Sequence, residues 1–314
     1  MRVGIIGAGA AGLAAGYELT KNGVEVAVYE RSPFLGGQAS TFEVVRNAQH
    51  LERGYHHLFK SDVDMIKLID ELNLSDKLLW LPSKVGVFHK NRVWNFSGPI
   101  DLLRFSSIGL LDRLRLGLTA MRLKRESDWR SFENFTAHKW LEEHVGIKAY
   151  SAIWEPLLKG KFGKDFKNVG MTWFWGKIFL RFASRGRLMT SERLGYPGGN
   201  FSEVFDSVGS FITRSGSIVE TETSVRSINI EGGKAIGLEV QSQDASPRKE
   251  RFDCILSTTP SSIFSKLVPN LPAAYQKKLT SIKYLAAVLV ILVLEKPLTE
   301  IYWMNIADPD MPFV

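Results

Sequence analysis

Arg2-Val3-Gly4-Ile5-Ile6 runs straight into Gly7-Ala8-Gly9-Ala10-Ala11-Gly12. A helical pattern from Leu13 to Asn22 stops at Gly23, and a second apolar run, Val24 to Tyr29, is closed by Glu30. The order is strand, glycine turn, helix, strand, acid, and each part has a physical reason for its place. Gly7 permits the tight turn out of the strand. Gly9 has no side chain, so backbone there comes close to a pyrophosphate, and Gly12 lets the helix pack near the sheet. The helix start offers free N–H groups and the positive end of its dipole to phosphates, with Ala8, Ala10 and Ala11 supplying backbone in the same loop. Glu30 stands about twenty residues on, where a carboxylate accepts hydrogen bonds from ribose hydroxyls and repels a 2′-phosphate. That argues against NADP. The competing reading, a purely structural glycine turn, explains the glycines but not the acid.

Working outward, the 314 residues are 45% hydrophobic, enough for two domains that each bury a core. The formal charge is +7, yet the basic residues are scattered rather than drawn into the stripe a nucleic-acid binder shows. Two moderate clusters, Arg113 to Arg130 and Lys177 to Arg193, fall in helical, aromatic-rich stretches. They read first as solvated basic helix faces; the alternative is a surface that approaches anionic lipid or an anionic substrate. The single cysteine, Cys254, excludes an internal disulfide and is expected as a small core residue of a strand. Leu285 to Leu294 is apolar throughout but too short to span a bilayer, and reads as a strand buried on both faces. A cytoplasmic protein is expected, with peripheral membrane attachment as the variant.

The segment Glu30-Arg31-Ser32-Pro33-Phe34-Leu35-Gly36-Gly37-Gln38-Ala39-Ser40-Thr41 follows the acid with a glycine pair. It resembles the second FAD motif of the flavoenzyme superfamily of amine oxidases, protoporphyrinogen oxidases and phytoene-type desaturases. The resemblance implies that Arg31, Gly36, Gly37, Gln38 and Ser40 line FAD, although family members often carry Arg or Lys where Gln38 stands. Gly54 and His56, in Leu51 to Phe59, match the family's Gly-x-His segment beside the isoalloxazine ring. Farther on, Leu194 to Gly199 precedes an amphipathic helix with Phe201, Val204, Phe205, Val208, Phe211 and Ile212 on one stripe. A hairpin turns at Gly232-Gly233 between Val225–Ile230 and Ala235–Val240, and a strand from Phe252 leads into Ser257-Thr258-Thr259-Pro260. By the same resemblance Val225 presents backbone to the adenine, and Thr258 marks the exit from the FAD domain as a further cofactor contact.

The expected fold class is therefore α/β: a Rossmann-like FAD-binding domain of parallel sheet and β-meander, with a second, α+β substrate domain. Residues 1–90 and 190–262 are assigned to the first, and 91–189 and 263–314 to a cap domain incomplete at its carboxyl end, since superfamily members continue into a Gly-Asp-type segment beside the flavin. The aromatic-rich cap suits a pocket for a bulky apolar small-molecule substrate and suits a core between helices equally well. His138 and His144 lie off a common helix face and read as solvated; adjacent His56 and His57 lack a third ligand, so no metal site is assigned. No triad or paired carboxylate appears and no catalytic residue is assigned, as expected where a cofactor carries the chemistry. Nor is a specific protein partner inferred.

The family implies hydride transfer from an amine, porphyrinogen, polyene or lipid-like substrate to flavin N5. Two alternatives stand beside it: a redox-neutral enzyme of the UDP-galactopyranose mutase type, and an inactive fragment of either.

Overall fold

In a computed structural model of the protein, which describes residues 1–45, 49–183, 192–198, 200–308 and 310–311, Arg2–Ile6 is a strand with its last four residues buried. It lies between two parallel neighbours, Glu25–Tyr29 and Cys254–Ser257, and Ile218–Glu220 extends the sheet beyond Glu25–Tyr29. The crossover from the first strand to the second is the helix Ala10–Lys21. Small residues let it pack closely on both sides: a Cβ at Gly16 would lie 3.4 Å from Val28 of the sheet and 3.0 Å from Ile212 Cδ1. Ile212 belongs to the helix Phe201–Arg214, which buries Phe201, Val204, Phe205, Val208, Gly209 and Ile212. The apolar stripe read from the sequence is thus the face that packs. Against the same sheet lies a three-stranded antiparallel meander, Thr223–Glu231, Lys234–Ser242 and Arg248–Arg251. Gly232 and Gly233 turn its first hairpin with φ of 57° and 78°, the left-handed pair a two-residue turn requires. Leu238, Val240 and Phe252 bury themselves with Ile6, Ala27 and Tyr29. The α/β architecture is the expected one.

Two compact units divide the chain: 1–56, 64–79 and 196–284 form one, and 57–63, 80–195 and 285–314 the other. The helices Ser261–Leu267 and Ala273–Thr280 group with the first unit, although the sequence reading placed 263 onward in the second. The reason is local: Leu267 and Val268 join the core around Tyr29 and Phe252. The second unit is largely helical. Phe132, Trp140, Tyr150, Leu158, Phe174 and Trp175 meet in its core, with the Trp175 indole donating to the carbonyls of Leu123 and Glu126 at 3.1 Å each. Much of its aromatic content is therefore helix-to-helix packing. A small sheet completes this unit, with Trp303–Ile306 parallel to Val85–Phe88 and Val93–Asn95 antiparallel to it.

Three expectations need correction. Leu285 to Leu294 forms no strand and its side chains are exposed, because an apolar run becomes a strand only where a neighbouring strand takes up its N–H and C=O groups. Cys254 is exposed, since its strand is the edge of the sheet. His138 and His144 are half-buried rather than solvated: His138 Nδ1 lies 2.9 Å from the Tyr150 hydroxyl, and the His144 ring stacks on Trp140 at 3.8 Å. Of the basic cluster from Lys177 to Arg193, residues 184–191 lie outside the described residues, as does Gly199. Among the described residues no helix is long and apolar enough to cross a membrane.

Candidate functional site

The glycine turn is built by contacts that leave no choice of residue at two positions and free choice at a third. Gly7 has φ 98°, and a Cβ at Gly12 would fall 1.9 Å from the Gly7 carbonyl oxygen. Gly9, by contrast, has φ −72° and ψ 177°, extended backbone open to any residue, and a Cβ there would meet nothing within 4 Å. Its glycine is not needed by the fold; the open space in front of it is what the missing side chain preserves. Behind Gly9 the helix begins at Ala10, and no side chain caps its first N–H groups and no acid sits in its first turn. A helix start left without a protein acceptor is a site for an anion.

Glu30 sits at the tip of the adjacent strand and is fixed from two sides. The Ala8 N–H donates to one of its carboxylate oxygens and the Ser32 N–H to the other, both at 2.9 Å. Each oxygen keeps a further lone pair, so the acid is oriented and still able to accept a ribose hydroxyl. Next to it, burial pushes the Tyr29 phenol well above its ordinary range, so that group stays neutral. The strand leading to Val225 is tied to the same place: Thr223 N–H donates to the Glu30 carbonyl at 2.8 Å, and the ladder shifts register between Val225 and Ser227.

The second glycine segment lies directly on the first. Gly36 N–H donates to the Ala8 carbonyl at 2.9 Å, Gly9 and Gly36 form a parallel bridge, and a Cβ at Gly37 would stand 3.1 Å from Gly9 Cα. Gly36 has φ 90° and rests against Phe205, whose ring would be 2.5 Å from a Cβ at that position. Ser40 is buried and its hydroxyl donates to the Gly37 carbonyl at 2.7 Å, while Arg31 and Gln38 are exposed. The Thr258 hydroxyl donates toward the Ile6 and Gly7 carbonyls, 2.9 and 3.2 Å away, which braces the turn from beneath. Arg53 N–H donates to Ser40, and just beyond it His56 Nδ1 lies 2.6 Å from the Gly54 carbonyl with its ring edge toward Phe201. Gly7 to Gly12, Glu30, Gly36 to Ser40 and Thr258 thus converge on one spot.

Sequence reasoning missed Ser32, Thr223 and Phe205. The first two act through backbone N–H groups and leave no mark on residue type. Phe205 was visible only as one member of an apolar stripe.

An uncapped helix start, an unobstructed Gly9 and an oriented acid beside it fit the pyrophosphate and ribose of an adenine dinucleotide, and the class defined is a Rossmann-type dinucleotide-binding protein. Residues 10–306 match the family described as flavin containing amine oxidoreductase, and the chain belongs to that family, whose cofactor is FAD. It is similar to a probable zeta-carotene desaturase of Synechococcus elongatus, with 25% identity over 80% of this chain and 56% of that protein. It is also similar to the mitochondrial protoporphyrinogen oxidase of Nicotiana tabacum, with 28% identity over 54% of this chain and 34% of the relative. The chain thus spans about half the length, or less, of these curated relatives. Among solved structures, an oxidoreductase from Methanosarcina mazei aligns with a TM-score of 0.69 at 19% identity, covering 90% of this chain and 66% of that one. A putrescine oxidase variant aligns at 0.61 and 19%, covering 89% and 62%. These structures share the fold. By sequence, then, the chain is a member of a flavin-containing oxidoreductase family.

Proposed function

We propose that the protein oxidises a bulky, apolar organic substrate by removing hydride from carbon, with a polyene favoured over a porphyrinogen or an amine. The observation that carries the flavin half is the open helix start beside Gly9 with Glu30 held next to it. The substrate half is supported by the match to a protein named as a carotene desaturase over 80% of the chain. When bound, FAD supplies at N5 the acceptor for the hydride. The chain's own part is binding and orientation: backbone N–H groups at Ala10 to Gly12 take the phosphates, Glu30 takes the ribose, and Gly36 and Gly37 keep the approach clear. Forming the new double bond also requires the neighbouring carbon to lose a proton, and no side chain of this chain is assigned as its acceptor.

The test is the visible spectrum of the purified chain after FAD loading, followed by anaerobic addition of a polyene, a porphyrinogen and a primary amine in separate cuvettes. A flavin spectrum bleached by the polyene is the expected result. Bleaching by the amine alone would overturn the substrate class. Turnover only after dithionite reduction, without net oxidation of substrate, would replace the reading with a redox-neutral one.

A further inference from the structure

The helix Leu110–Arg125 buries Leu116, Thr119 and Leu123 and turns a second apolar stripe outward. Leu110, Leu111, Leu114, Leu118 and Met121 are all exposed, Leu111 to 81% and Leu118 to 63%. At 3.6 residues per turn these five fall within an arc of about 100°. Arg115 and Arg122 border that arc on one side and Arg113 and Lys124 on the other, with Arg125 in the last turn. The short helix before it, Pro99–Arg104, adds exposed Ile100 and Leu103 beside Arg104. From 99 to 125 there are six cations and two carboxylates, Asp101 and Asp112. Arg113 and Arg115 donate to the carbonyls of Leu103, Glu143 and His144, which orient the guanidinium groups without cancelling their charge. At the end of the helix Leu118, Met121, Arg122, Arg125 and Glu126 line an open concavity of about 300 Å³ that brings two apolar side chains together with two guanidinium groups and one carboxylate.

From this we infer that the Pro99–Arg125 face docks on an anionic lipid surface, with the leucines entering the acyl boundary and the flanking arginines meeting phosphate headgroups. An apolar stripe with cations along both margins is the pattern of a helix lying in the interfacial plane. A protein partner would match the leucines equally well, but it would need acids along both edges of the helix at once; an anionic bilayer presents them everywhere. This surface lies within the second unit and is independent of the cofactor site.

The experiment is flotation of the full FAD-loaded chain with vesicles of phosphatidylcholine alone and of phosphatidylcholine with about one third phosphatidylglycerol. The wild type is expected to float with the anionic vesicles and to be released as salt rises. Leu111→Glu with Leu118→Glu should weaken that binding by about tenfold or more, and Arg125→Glu should weaken it on anionic vesicles alone. Both leucines are exposed, so the melting temperature and flavin spectrum should not change. Absence of binding to the anionic vesicles, or binding unaffected by the leucine pair, would overturn the inference. So would a vesicle-free dimer that the leucine pair converts to monomer, which would assign the face to a second copy of the chain.

Discussion

A methyl group added at Gly12 would collide with the Gly7 carbonyl at 1.9 Å, while one added at Gly9 would point into open space. The two glycines therefore serve different ends, and substitution separates them. Gly12→Ala should cost stability, read as a drop in melting temperature, because the turn and the helix start must move apart. Gly9→Ala should leave the melting temperature within error, yet weaken FAD about tenfold or more, equivalent to about 1.4 kcal/mol. Calorimetric titration alongside thermal melts checks both. Glu30 offers a third case at this scale. Its carboxylate accepts from Ala8 and Ser32 at 2.9 Å each and keeps lone pairs for the ribose. Glu30→Ala should weaken FAD binding by about 1.5–3 kcal/mol, the worth of hydrogen bonds to a charged group. An unchanged Kd would remove the ribose assignment.

Among the elements, the helix Phe201–Arg214 has a part beyond filling the core. Phe205 lies under Gly36, and a Cβ at Gly209 would stand 2.6 Å from Leu35, so this helix supports the whole second glycine segment. Phe205→Ala should destabilise the fold by about 3–5 kcal/mol as a core truncation and lower FAD affinity with it, measured by denaturant unfolding with and without cofactor. Elements of this kind mark where the sequence is legible and where it is not. The glycine turn, the acid and the Phe201–Ile212 stripe declare themselves because residue type there is forced by close approach or by burial. The Leu285 to Leu294 run misled because its composition fits a strand but its pairing depends on a neighbour that composition does not encode. Cys254 misled in the same way: its strand is real, but its edge position is a fact of topology. Thr223 and Ser32 are silent because toward Glu30 only their backbone N–H groups act.

For the molecule as a whole, charge pairing ties the first strand to the meander. Arg2 bonds Glu250 at 3.0 Å and Glu25 at 2.9 Å, and Arg248 bonds Glu250 at 3.1 Å and Glu220 at 2.6 Å. Burial alone would raise the Glu250 carboxyl, but hydrogen bonds from Arg248 and Arg2 outweigh it and hold the group below its ordinary value. A carboxylate lowered in the folded state adds stability above its unfolded value, about pH 4.3, and loses it as pH falls through the lowered one. The melting temperature should therefore fall below about pH 4.5, and Arg248→Gln should flatten that fall. A profile identical in the variant would assign the acid limb to other carboxylates. Bound FAD should raise the melting temperature at every pH at which it binds, by mass action.

The most direct measurement is a crystal structure of the chain grown with FAD. The diphosphate should lie within hydrogen-bonding distance of the N–H groups at Ala10 to Gly12, in the space before Gly9, with a ribose hydroxyl on Glu30. Density for the dinucleotide elsewhere, or a side chain filling the space before Gly9 in the complex, would contradict it.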